Sequence, residues 1–220
     1  MWLEALITLV ALTGALAARP WRMLASRAPL THEIHDTPSA LWTPLLATLV
    51  FLPWLWALPT LHTMPLQLQW SGACLVVLML GWPLAIPVLI TVGIAACLIS
   101  PAMAWADALG AIVWLGVVPA TLALGLGALV RRVTGTRPFV YVLGRAFLGT
   151  VVCVFAAGAL SQWSGHLLPG VGDELSLVAR WLMAWGDGFV TGMLTAIFVA
   201  FRPQWLATWS DRLYLHKPPA

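Results

Sequence analysis

The chain has 220 residues, of which 61% are hydrophobic and only 9% are charged, and its mean hydropathy is +0.91. A soluble domain carries about 25% charged residues, so this composition excludes one and points to an all-α polytopic membrane bundle. The net charge of +3 comes without any basic run interleaved with aromatics, which argues against nucleic acid as a partner.

Residues 2–18 form the first expected span. Ala15-Leu16-Ala17 imitates a signal-peptidase site, but only Glu4 precedes it, while Arg19, Arg22 and Arg27 follow. That is the reverse of a secretory signal, so the segment reads as a mature helix with its N-terminus outside. The next loop holds His32-Glu33-Ile34-His35-Asp36, a solvated stretch too poor in further ligands to argue for a metal. Span two is 41–58, with Pro44 and Pro53 inside it, and His62 lies in the short loop beyond.

From Trp70 to Ser100 the chain is apolar for about thirty residues, too long for one untilted crossing. Gly81-Trp82-Pro83 interrupts this run, and the cations decide how to read the interruption. The loop Lys and Arg residues form three clusters: Arg19/Arg22/Arg27, Arg131/Arg132/Arg137 and Arg202/Arg212/Lys217. Splitting the run into spans 69–82 and 84–100 gives about seven spans and puts all three clusters on one side, N-out and C-in. The other spans are 108–130, 139–162 and 177–201. Residues 1–203 then make a transmembrane domain, and 204–220 a cytoplasmic amphipathic tail. In that tail Trp205, Leu206, Trp209 and Leu213 share a helical face, suited to the inner leaflet or to a docked partner.

The last span carries one carboxylate, Asp187, well inside it. On helical spacing Asp187, Thr191 and Thr195 share a face, next to a stripe of Gly188, Gly192, Ala196 and Ala200. A buried carboxylate in a span needs protein or water around it, so two readings stand: a binding site, or a hydrogen bond that joins helices. Asp187 lies fifteen residues before Arg202, about 22 Å of helical rise, which places it in the outer half. Arg180 marks the outer interface, and Arg145 sits within snorkelling reach of the inner one. The outer loops add His62, His166, Asp173 and Glu174. Cys74, Cys153 and Cys97 lie in apolar runs without CxxC spacing, and read as small buried side chains.

Three stretches together resemble a known family. Trp185-Gly-Asp-Gly-Phe-Val-Thr-Gly, continuing to Phe-Arg-Pro-Gln-Trp-Leu206, is similar to the last helix of the membrane subunits of cobalt and nickel uptake systems of the energy-coupling-factor type, the CbiM/NikM group. Leu68-Gln-Trp-Ser-Gly-Ala-Cys-Leu and Leu80-Gly-Trp-Pro-Leu resemble that family's Gly-His stretch and the turn after it, and the glycine-rich span before Arg131-Arg132 also fits. The likeness covers most of residues 40–206 and is closer still to a short bacterial branch described as CbiM-like permeases. It departs where metal ligands matter: Trp2 replaces the family's N-terminal histidine, and Gln69 falls where the Gly-His histidine stands. Nickel and cobalt favour imidazole nitrogen over an amide.

The resemblance implies a permease or substrate-capture subunit in the bacterial inner membrane. It would bind a small solute or a transition-metal ion, cobalt or nickel, and depend on separate ATPase and coupling membrane subunits. Its substrate groups would be Asp187, Thr191 and Gln69; a metal would use Asp187 with His62 and His166. No cofactor is expected to be covalently bound. The other reading is a non-transporting protein that assembles or stabilises a respiratory or metal-handling complex. No nucleophile–base pair occurs at membrane depth, so no catalytic residue and no enzymatic role is expected.

Overall fold

The computed structural model of the chain describes residues 1–24, 39–61, 69–135, 137–166, 168, 172–210 and 214, without the side chains of Asp173 and Glu174. The His32–Asp36 loop, Arg27, His62, Arg212, Leu213 and Lys217 lie outside the described residues. Among the described residues every regular element is helical, and five helices are long and apolar enough to cross a membrane. The protein is a multi-pass helical bundle.

Helix α1 (Trp2–Ala17) is apolar but shorter than those five, and α2 (Trp21–Leu24) is a single turn after it. Helix α3 (Trp42–Leu61) continues through Pro53 and Pro59 beyond its expected end. Helices α6 (Trp105–Ala111) and α7 (Val118–Thr134) are joined by a π-helical stretch, Ile112–Val117, into one rod of 30 residues. A second π-helical stretch, Val140–Leu148, runs into α8 (Gly149–Trp163). Helix α9 (Asp173–Phe201) is the longest, at 29 residues.

The two faces of α9 show what the surrounding solvent is. Ala184, Asp187, Thr191 and Thr195 are buried, while Leu182, Phe189, Met193 and Phe201 are exposed. Lipid tails are as apolar as leucine, so large apolar side chains gain little by turning inward, whereas polar ones must find protein partners. The small-residue stripe does the packing. A Cβ on Gly188 would strike Val151, and one on Gly192 would stand 2.9 Å from Phe147 Cβ, so α8 and the π-stretch before it lie directly on these two glycines.

The third crossing departs from expectation. A helix over 69–82 is predicted, but α4 covers only Ala73–Leu80, and all eight of its residues are buried. Eight residues rise about 12 Å, less than half of a ~30 Å hydrocarbon core. Gln69–Gly72 leads in as non-helical backbone. Hydropathy is blind to this, because an apolar half-helix and an apolar full span score alike. The break at Gly81 is where the sequence puts it: its φ of 76° ends α4, and α5 (Trp82–Ile99) begins at once.

Contacts sort the turns into two ends. The turn after α1 meets the α4–α5 break and the segment after α9, since Met23 and Ala207 both adjoin Gly81. At the opposite end Thr60 bonds Ser100 at 2.8 Å, and Glu4 meets His166.

The segment after Phe201 also differs from the expected surface helix. Among the described residues up to Ser210 only Pro203–Trp205 is helical, a 3-10 turn, Tyr214 is helical beyond it, and Leu206 and Trp209 are buried in the core. The reason lies in α4, which ends deep among neighbouring helices with carbonyls still to be satisfied. Ala207 N–H donates to Met79 O at 2.9 Å, and Thr208 gives its N–H and its hydroxyl to Leu78 O at 3.3 and 3.0 Å.

Candidate functional site

The backbone that precedes α4 is unwound inside the bundle, and each of its polar groups needs a partner there. Ser71 is the hub. Its carbonyl accepts from the Trp56 indole of α3 at 3.1 Å. Its hydroxyl donates to Leu115 O at 2.6 Å and accepts from Ala73 N–H at 3.2 Å. Leu115 lies in the π-stretch, where the wider turn loosens the helical ladder and opens a carbonyl to an outside donor. Gly72 caps α4 in the left-handed region, with φ 64°, where a Cβ would also crowd Leu52 and the Trp70 ring.

Two further donors of this segment go to Asp187. Ser71 N–H reaches Oδ2 at 2.9 Å, and Gly72 N–H reaches the same oxygen at 3.3 Å. Thr191 Oγ1 stands one turn along α9, 3.5 Å from Oδ1. The carboxylate is therefore the N-terminal cap of a helix it does not belong to. Charge favours this placement, because the first turn of a helix presents the positive end of its dipole. Trp70 Nε1 is buried and turned toward the same carboxylate. Four donors thus converge on Asp187.

The candidate residues now have places. Asp187 and Thr191 are brought together as their spacing predicts, and Thr195 is buried behind them with its hydroxyl unbonded. Gln69 stands two residues before Ser71, half-buried, and makes no hydrogen bond to Asp187. His166 belongs to another cluster: its Nε2 lies 2.7 Å from Glu4 Oε1, and its carbonyl accepts from Arg180 at 2.7 Å. His62 lies outside the described residues. Among the described residues no three His, Cys, Asp or Glu side chains converge to hold a metal, and Asp187 and His166 are not brought together. The three cysteines are free and buried, as their apolar settings suggest, with the Cys74 and Cys153 thiols in contact between α4 and α8.

Four participants were not singled out from the sequence. Ser71 and Gly72 were legible only as a polar dipeptide ahead of an apolar octet, and the Trp56 indole carries no signal of its own. Glu4 is the fourth: 3% exposed, it holds the Met1 amine at 3.1 Å, His166, and the Trp114 indole at 3.3 Å. A glutamate in an apolar first turn is the only mark of it in the sequence. Protein-family models, curated proteins and solved structures were all compared with this chain, and none of them matches it.

Proposed function

We propose that the chain is a permease or substrate-capture subunit of the bacterial inner membrane, oriented N-out and C-in and powered by separate ATPase and coupling subunits. The observation that carries this reading is the discontinuous crossing whose unwound end meets a buried carboxylate inside the bundle. Broken helices whose ends meet polar groups near mid-bundle are how membrane carriers build solute sites and moving parts. Asp187, Thr191 and Gln69 are the solute-facing groups in this proposal. A transition-metal ion such as cobalt or nickel is the first candidate solute, with His62 as a further ligand; His166, paired with Glu4, is not among them. A cation approaching Asp187 would compete with the Ser71 and Gly72 N–H groups for Oδ2, so capture of the solute would release α4.

The test is accumulation of radiolabelled cobalt and nickel in cells with and without the chain, with membrane levels checked by immunoblot. Accumulation should depend on the chain and be lost in Asp187→Asn, and Gln69→His should strengthen cobalt binding by the purified protein. Unchanged accumulation without the chain would remove the metal from the proposal.

A second reading has one observation in its favour. Asp187 is held by donors of the protein itself, the arrangement that a purely structural cap requires. Under that reading the chain stabilises a respiratory or metal-handling complex. Deleting it would then lower the amount of that complex while leaving metal accumulation normal.

A further inference from the structure

Arg145 lies in the π-stretch Val140–Leu148, near the end of the bundle where Arg131, Arg132 and Arg137 gather. Its guanidinium rests on α7 at Gly127, where a Cβ would stand 2.7 Å from Nε and 3.0 Å from Cζ. A side chain there would push the guanidinium aside. Its Cζ is 5.6 Å from the centre of the Tyr141 ring. Tyr141 gives no free hydroxyl, because its oxygen is shared with Thr208 at 2.7 Å.

Among the described residues no carboxylate pairs with this cation. The ion pairs among the described residues are both those of Glu4, and Arg145 Nε is buried without a hydrogen bond. Arg131 lines the same small pocket, together with Val130, Tyr141 and Tyr214. Two guanidinium groups share one opening at a bundle end, and no described carboxylate answers them. An unpaired, partly buried charge is costly, and two like charges add to the cost unless an anion joins them.

We infer that this pocket takes the phosphate of an anionic phospholipid headgroup. Paired arginines are suited to phosphate, since each presents a fork of donors to its oxygens. The pocket has room for about one water-sized group, about 10 Å³, so it accepts anionic oxygens at its mouth and not a whole small molecule. The flanks favour a lipid over a free ion: Leu129, Val133, Phe139 and Leu143 are exposed beside it, an apolar surface for acyl chains. Basic pockets between helices at the headgroup level are a recurrent way for membrane proteins to hold anionic lipids.

The experiment uses the purified full chain in neutral detergent, titrated with phosphatidylglycerol, phosphatidylcholine or inorganic phosphate. Thermal unfolding and native mass spectrometry provide the readouts. Phosphatidylglycerol should raise the unfolding midpoint and remain bound in the gas phase, whereas phosphatidylcholine and inorganic phosphate should do neither. Arg145→Gln should weaken the lipid about tenfold or more, the loss of a charge-assisted hydrogen bond, and Arg145→Lys should weaken it less. Arg131→Gln, at an exposed position, serves if Arg145→Gln does not fold. Equal protection of the native chain and both glutamine variants would overturn the site. Equal protection by phosphatidylcholine would overturn the requirement for net charge, and equal protection by inorganic phosphate would overturn the lipid as its source.

Discussion

Ser71 and Asp187 stand 116 residues apart in sequence and 2.9 Å apart in the fold, a backbone N–H against a carboxylate. This contact ties the last helix to the start of the buried half-helix α4. The other end of α4 is tied to the same region of chain, because Ala207 and Thr208 satisfy Met79 and Leu78. One continuous stretch, α9 and the turn after it, therefore caps α4 at both ends. A helix this short gains little stability from its own ladder and depends on these outside partners. Whatever moves α9 must break or carry along both caps.

Removing the carboxylate should show what the cap contributes. Asp187→Ala leaves two buried N–H groups unpaired, at about 1–3 kcal/mol each, so a total loss of roughly 3 kcal/mol or more is expected. Asp187→Asn keeps an acceptor oxygen but not the charge, and about 1–2 kcal/mol is expected. Thermal or denaturant unfolding in detergent measures both. An Asp187→Ala protein as stable as the native chain would show that α4 does not need this cap.

Gly72→Ala should destabilise for two reasons at once. Its φ of 64° is unfavourable for any residue with a Cβ, and the new methyl would lie 3.1 Å from Leu52 Cδ1. About 1–2 kcal/mol is expected from the backbone alone. Gly186→Ala is the control: a Cβ there meets nothing within 4 Å and the residue is helical, so little change is expected. Equal behaviour of the two variants would contradict the left-handed cap.

What could be read from the sequence follows from what periodicity encodes. Asp187, Thr191 and Thr195 share a buried face because residues four apart stack along a helix, and Gly188 and Gly192 meet α8 and the π-stretch before it for the same reason. The break at Gly81 is legible because glycine and proline act locally. The half-helix is not, because Ala73 to Leu80 is apolar throughout and runs on into the apolar α5, so no period tells a buried eight-residue helix from part of a full span. The pairing of Asp187 with Ser71, and of Glu4 with His166, depends on which helices become neighbours. That is decided by packing over the whole bundle, which one sequence does not state.

Tyr141, Thr208 and Leu78 form a short chain of hydrogen bonds that pins the segment after α9 onto the end of α4. Thr208→Val removes both side-chain bonds in a part-buried setting and should cost about 1–2 kcal/mol. Tyr141→Phe removes one and should cost less. Because the two residues share a bond, the double variant should lose less than the sum, by roughly 0.5–1.5 kcal/mol. Strict additivity in that cycle would mean that the Tyr141 hydroxyl and Thr208 do not interact in the membrane protein.

Topology is the prediction on which the depth of every proposed site depends. The described loop cations Arg19, Arg22, Arg131, Arg132, Arg137 and Arg202 belong to turns at the bundle end that holds Met23, Gly81 and Ala207. Arg180, within α9, is the one described arginine toward the other end, and it donates to His166 O. Loops rich in Lys and Arg remain on the cytoplasmic side, so reporter fusions at Thr136 and Lys217 should both report cytoplasm. A fusion at Val171 should report the periplasm. This outcome would put the Arg131–Arg145 pocket at the inner leaflet and the approach to Gln69 on the outside, as uptake requires. A periplasmic Thr136 would exchange the two: the arginine pocket would face outer-leaflet headgroups, Gln69 would open to the cytoplasm, and capture of a solute from outside could not proceed through it.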